Sequence, residues 1–188
     1  LLWDAATGGS IFVSCDLSNE VVADCTCDWP TIDPSGQLVA FSSTATNLTT
    51  NALSGACHLY LRDLQAGTTL LLDADTNGIG SLISPLAMPR LSADARFVVF
   101  ESTGENLVPD DRNRVSDVFV RDLTTGAVEH ISARDPGLAS LSPNGVSRLS
   151  TSCASADGRW VAFASEADNL VGNDTNGFRD VYVRDLQS

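Results

Sequence analysis

An all-β chain built from tandem antiparallel sheets is what this sequence predicts, and three observations carry the prediction. Short runs rich in Val, Phe and Tyr recur with no helical periodicity between them. The runs come back three times in one order and one register. Turn residues bracket them at hairpin positions, as in PSGQ, ADAR and ADGR.

Phe41, Phe100 and Phe163 anchor the register. They close the runs QLVAF, RFVVF and RWVAF and stand 59 and 63 residues apart. Behind them follow SSTATNL, ESTGENL and ASEADNL, which align Asn47, Asn106 and Asn169. Arg62, Arg121 and Arg184, each followed by Asp, align next. The opening LLWDAATGGSIFVS matches FVRDLTTGAVEHIS, placing Asp4 on Asp122, Gly8 on Gly126 and Ser14 on Ser132, with Trp3 where the other copies carry Arg.

Each unit reads as four strands. Strand one runs into the PSGQ, ADAR or ADGR turn. In the middle copy Ala95 stands where the others have Gly, so that turn is expected to be strained by roughly 1 kcal/mol. Strand two, LVAF, FVVF or WVAF, is apolar on both faces, as a sheet covered on both sides requires. Strand three is LYLRDL, VFVRDL or VYVRDL, and a turn at Gly67 or Gly126 leads to strand four, TTLLL or AVEHI. Tandem four-stranded units buried on both faces are β-propeller blades. The expectation is therefore about three tandem four-stranded antiparallel sheets that start and end in mid-blade. They form one partial domain over 1–188, with repeats near 1–14, 30–73, 89–132 and 152–188. Val39, Phe41, Val98, Phe100, Val161 and Phe163 are expected to be buried.

The pattern S-A-D-G-R-x-V-A-F-x-S-x-x-x-N-L-V followed by D-x-N-G-x-x-D-V-Y-V-R-D-L, fullest between Ser155 and Leu186, resembles the TolB-like family of WD-like propeller repeats. The resemblance spans nearly the whole chain and implies a bacterial protein outside the cytoplasm, extracellular or periplasmic. It further implies a binding or scaffolding module, or a propeller placed beside a peptidase domain.

Charge limits the partners. The formal net charge is −13, from 24 acidic against 11 basic residues. Such a surface repels phosphate backbones and anionic lipid, so nucleic acid is excluded, while calcium, cationic ligands and basic protein patches suit it. No apolar run reaches the roughly 18 residues of a membrane helix, so no membrane insertion is expected. The chain opens on Leu1 rather than Met, which reads as a trimmed or processed start.

Two loops carry oxygen-rich side chains at alternate positions, the pattern a hard cation uses. DADTNG offers Asp73, Asp75 and Asn77 with Gly78 for the turn, although Ser84 stands where such loops carry Glu. NDTNGFRD offers Asp174, Asn176 and Asp180, and DDRNRVSD repeats Asp111, Asn113 and Asp117. The competing reading of both is an Asx turn that holds its own backbone. Five cysteines suggest an oxidising compartment. Cys15, Cys25, Cys27, Cys57 and Cys153 are expected on one face, as disulfides in preference to zinc ligands, with Cys57 in reach of Cys25 or Cys27. His58 and His130 have no partner that the sequence points to and are read as incidental. The RD pairs are read as polar contacts at blade edges or between blades, because neighbouring strand residues point to opposite faces and a catalytic centre is not assembled three times.

Repetition without a unique catalytic cluster favours a non-enzymatic extracytoplasmic module that binds protein or itself. If the chain is complete, head-to-tail association through complementary half-blades would build a ring or a fibre; the competing reading is a piece cut from a longer propeller whose other blades close the ring. The alternative is the propeller part of a larger secreted hydrolase or peptidase.

Overall fold

The structure is a computed structural model that describes residues 1–18, 23–83, 88–109, 111–134 and 142–187. Among the described residues it has strands and turns and no helix. Strands β1 (Leu2–Trp3) and β2 (Ser10–Ile11) form a hairpin. Strands β3 (Cys27–Ile32), β4 (Leu38–Ser43), β5 (His58–Asp63) and β6 (Thr68–Leu71) form a four-stranded antiparallel sheet in that order. A second such sheet holds β7 (Arg90–Leu91), β8 (Phe97–Ser102), β9 (Asp117–Asp122) and β10 (Val128–His130). The last sheet holds β11 (Ser147–Arg148), β12 (Trp160–Ser165) and β13 (Asp180–Asp185). Two complete blades are thus flanked by two strands of a blade at one end and three at the other.

The repeat register is the pairing register. Phe41 faces Tyr60, Phe100 faces Phe119 and Phe163 faces Tyr182 across strands two and three. Their rings stack with centroids 5.8, 6.0 and 5.5 Å apart. Each aromatic pair faces the preceding unit. Phe41 and Tyr60 pack with Val13 and Leu2 of the opening hairpin. Phe100 and Phe119 pack with Ala40, Leu59 and Leu61 of the sheet before. Phe163 joins Val99, Val118 and Val120 in the third cluster, with Tyr182 against it. Alternation along strand three therefore puts one set of side chains on each neighbour, and the blades stack face to face. All six Val and Phe positions expected in the core are buried.

The turns follow the sequence. Gly36 and Gly158 adopt φ of 75° and 66°, and Ala95 takes the same left-handed conformation at 58°. In the first turn the Asp33 carboxylate collects the amides of Ser35, Gln37 and Leu38. Ser92 and Ser155 do the same work with a hydroxyl, accepting the amides of Phe97 and Trp160. At the next turn Asp63, Asp122 and Asp185 accept the following backbone amides. Arg96 and Arg159 reach across from the neighbouring turn to Asp122 and Asp185. Asn47, Asn106 and Asn169 each tie down the connection that enters their blade: Asn47 accepts from Asp24, Asn106 from Ser81 and Asn169 from Asn144.

Two of the three RD arginines connect blades, while Arg62 donates to the Thr69 hydroxyl within its own sheet. Arg121 donates to the carbonyls of Leu72 and Ala74 at the end of the preceding sheet. Arg184 does the same to Ile131 and Ala133.

Candidate functional site

An exposed apolar surface lies on β13. Leu59 and Leu61 in the first complete sheet, and Val118 and Val120 in the second, are buried under the next blade. Their counterparts in the last sheet, Val181 and Val183, are 78% and 63% exposed, with Phe178 exposed beside them. The backbone there is open as well. Leu59 and Val118 accept strand-four amides from Leu72 and Ile131 at 2.7 and 2.8 Å. Among the described residues β13 pairs only with β12, so the backbone of Val181 and Val183 faces an unpaired edge.

The side of the first complete sheet that carries Phe41 is only partly covered by the opening hairpin. A largely apolar cavity of about 300 Å³ lies there, lined by Leu1, Leu2, Val13, Ile32, Val39 and Phe41 among others. In the next interface the same faces are filled by strands two and three of the preceding blade.

The two histidines are not incidental, which corrects the sequence reading. His58 Nδ1 lies 2.7 Å from Asp73 Oδ2, both side chains fully enclosed, and the other Asp73 oxygen accepts the Leu59 amide. His130 Nε2 lies 3.2 Å from Asp117 Oδ1 and 3.1 Å from the Ser132 hydroxyl, and its ring stacks on Phe119. Ser132 donates to Asp117 and accepts the Val118 amide, with no exposed surface, so it clips strands three and four rather than serving as a nucleophile. Aligning strand-four ends beside strand-three starts would have found this. Where the second copy has Asp117 and Ser132, the first has His58 and Asp73. Gly80 makes the exchange fit, since a Cβ there would stand 2.8 Å from the His58 ring.

The loops expected to hold calcium put their side chains to other uses. Asp73 turns into the core toward His58, while Asp75 accepts the amides of Asn77 and Ile79 and the side chain of Asn106. Burial pulls the Asp75 carboxyl upward, but these hydrogen bonds prevail and hold it below its ordinary value. Asn77 lies on the surface of that turn. Ser84 lies outside the described residues. In the last copy Asp174 accepts the Tyr182 hydroxyl at 2.7 Å. Asn176 accepts the Phe178 amide and donates to Asp180. Asn113 and Asp117 repeat that arrangement. Among the described residues no three His, Cys, Asp or Glu side chains converge as a metal cluster. Asp75, Asn113 and Asn176 each form an Asx turn with the backbone two residues on.

The cysteine expectation is also corrected, since all five thiols are unpaired. Cys27 opens β3 opposite Ser43 of β4, and Ser43 faces His58 of β5. Cys57 is therefore about two strand spacings from Cys27, near 10 Å, beyond the roughly 7 Å a disulfide spans. Cys25 is exposed whereas Cys57 is buried in the core. Cys153 does not share a face with these. It precedes Ala154, which bridges Val161 at the far end of strand one. Burial pushes the thiols of Cys57 and Cys153 above their ordinary value, which leaves them unreactive.

No helix among the described residues is long and apolar enough to cross a membrane. Neither a family model nor a curated protein matches the chain. Among solved structures it is similar to TolB from Acinetobacter baumannii, at 17% identity and a TM-score of 0.47 over 99% of this chain and 35% of that one. It is also similar to a putative TolB from Agrobacterium tumefaciens, at 18% and 0.46 over 87% and 43%. The β-propeller domain of the trilobed protease from Pyrococcus furiosus, described as having an open velcro topology, matches at 18% and 0.49 over 89% and 42%. The chain thus spans well under half the length of each.

Proposed function

We propose that this chain is a non-enzymatic, extracytoplasmic protein-binding module whose working surface is the open face and edge of β13, and that a second copy is a partner that fits it. One observation supports the reading above all: Val181 and Val183 stand exposed where every counterpart is buried. A strand from the partner would pair with β13 as β6 and β10 pair with β5 and β9. The strand-four pattern recurs at Ser10–Ser14, and Ser14 aligns with Ser132, the residue that clips Asp117. Asp180 aligns with Asp117, so Ser14 of one copy has its acceptor in another. Val181 and Val183 would then enter the cavity over Phe41. In the isolated chain Leu2 and Trp3 pair with Ile11 and Ser10 and occupy part of that place, so they must give way. Association of this kind is heterologous and builds a closed ring or a fibre.

Sedimentation of the 188-residue chain tests the proposal. The mass should rise with concentration, fall to that of a monomer in the Val181→Lys, Val183→Lys double variant, and rise further when residues 1–3 are removed. A monomer at every concentration, indifferent to all three changes, would contradict it.

A further inference from the structure

The three blades treat one position differently, and the difference leaves one oxygen of a buried acid without a donor. In the last sheet the Tyr182 hydroxyl donates to Asp174 and approaches the carbonyl of Ala167 at 3.5 Å. In the first complete sheet Tyr60 donates to the carbonyl of Ala45 at 3.2 Å, and Ala52 replaces the acid. The middle sheet keeps the acid, Asp111, but has Phe119 in place of tyrosine, with Gly104 at the carbonyl position.

Asp111 is only 4% exposed, and among the described residues its Oδ1 has no hydrogen-bond partner. Asp117 cannot help, being itself an acceptor satisfied by Ser132, His130 and Asn113. A buried carboxylate oxygen with no donor is costly, and a proton or a cation must offset it. Asp111 lines a cavity of about 540 Å³ shared with Thr76, Glu105, Asn106 and Arg112.

We propose that Asp111 seats a small hard divalent cation, calcium in class, where the tyrosine hydroxyl stands in the last sheet. The ligands are the carboxylate, backbone carbonyl oxygen and water admitted by the cavity. Asp117 and Glu105 add negative potential, while His130 and Arg112 oppose it. The proton is the competitor, because burial, and then the charge of Asp117, push the carboxyl up to about 6. The cation therefore prevails above neutral pH, with affinity in the ~10⁻⁴–10⁻³ M range of extracellular calcium modules. Asp111 accepts the Asn113 amide, but its Oδ1 has no donor, unlike the Asx turns at Asp75 and Asn176, whose oxygens already have donors.

The test uses the full 188-residue chain at pH 7.5, stripped with chelator and melted with and without about 10 mM calcium chloride. Calcium should raise the wild-type melting temperature by about 3 °C or more. Phe119→Tyr, which restores the hydroxyl, should melt higher without calcium and lose the calcium shift. Asp111→Asn should lose the shift too, and decides the matter alone if the tyrosine variant does not fold. No shift in the wild type would show that a proton or water alone satisfies Asp111. A shift undiminished in both variants would place the cation elsewhere. Either result overturns the proposal.

Discussion

Arg121 donates through Nε to the carbonyl of Leu72 at 2.7 Å, so the second complete blade is fastened to the last residues of the first. Its other nitrogens reach the carbonyls of Ala74 and Gly126. One buried guanidinium thus satisfies backbone in two sheets. Arg121→Met should lower unfolding free energy by about 2–4 kcal/mol, because it strands buried carbonyls as well as removing charge-assisted bonds. Arg121→Lys should rescue little, since an ammonium has no planar fork. Arg184→Met, at a less buried position, should cost about half as much. Urea unfolding measures all three, and a loss below roughly 0.5 kcal/mol for Arg121→Met would contradict the inter-blade role.

The strand-one turns make a paired prediction. Ala95 holds a φ of 58°, which glycine adopts without penalty, so Ala95→Gly should be neutral to stabilising by up to about 1 kcal/mol. Gly158→Ala should be destabilising by more than about 1 kcal/mol. It adopts a φ of 66°, and its new Cβ would lie 2.4 Å from the Phe97 ring of the preceding blade. Thermal melts of the two variants should move in these directions.

The exchanged pair His58 and Asp73 should behave as a unit. Asp73→Ser alone removes the partner of a buried imidazole and should cost about 2–3 kcal/mol. Adding His58→Asp recreates the Asp117–Ser132 pairing and should recover more than half of that loss. A double-mutant cycle reads the coupling, and simple additivity would show that the two residues act independently.

Much of the fold is written in the spacing of a few residues. The aromatic anchors recur because they stack in every blade, and Arg121 and Arg184 recur because each ties its blade to the one before. Repetition therefore made strands, register and the inter-blade arginines legible. The same habit hid what is particular. His58 and Asp73 look unrelated until the end of strand four is laid beside the start of strand three, because 15 residues separate them in the chain. Cys57 and Cys27 look close enough to bond in sequence terms, yet an entire strand, β4, runs between them. Asp75 and Asn176 carry the alternation of a cation loop, and that alternation also makes an Asx turn, so the sequence pattern alone does not separate the two. Asp111 became notable through a hydroxyl that Phe119 lacks, which no motif describes.

The pH dependence follows from Asp111. Its carboxyl sits near 6 against an ordinary value of 3.8, so between these limits the folded chain holds a proton that the unfolded chain releases. Stability from this group is full below about pH 4 and falls as pH rises to 6, by on the order of 2 kcal/mol. The opposing groups act outside that window. Burial pulls Asp33 upward, but the hydrogen bonds it accepts hold it below 3.8, and Asp75 behaves alike, so both lose stability only at more acidic pH. In chelator, wild type should be more stable at pH 5 than at pH 7, and Asp111→Asn should flatten that slope. A slope unchanged in the variant would remove Asp111 as its source.

Hydrogen exchange on β13 is the most direct test of the account, which holds that this strand is an acceptor edge. The amides of Val181 and Val183 should exchange fast in dilute solution and gain protection as concentration rises, in step with Ser10–Ser14. Val128–His130 and Thr68–Leu71, already paired within the chain, should not change. Exchange at Val181 and Val183 that stays fast and independent of concentration, with the chain at monomer mass throughout, would contradict self-association through this edge.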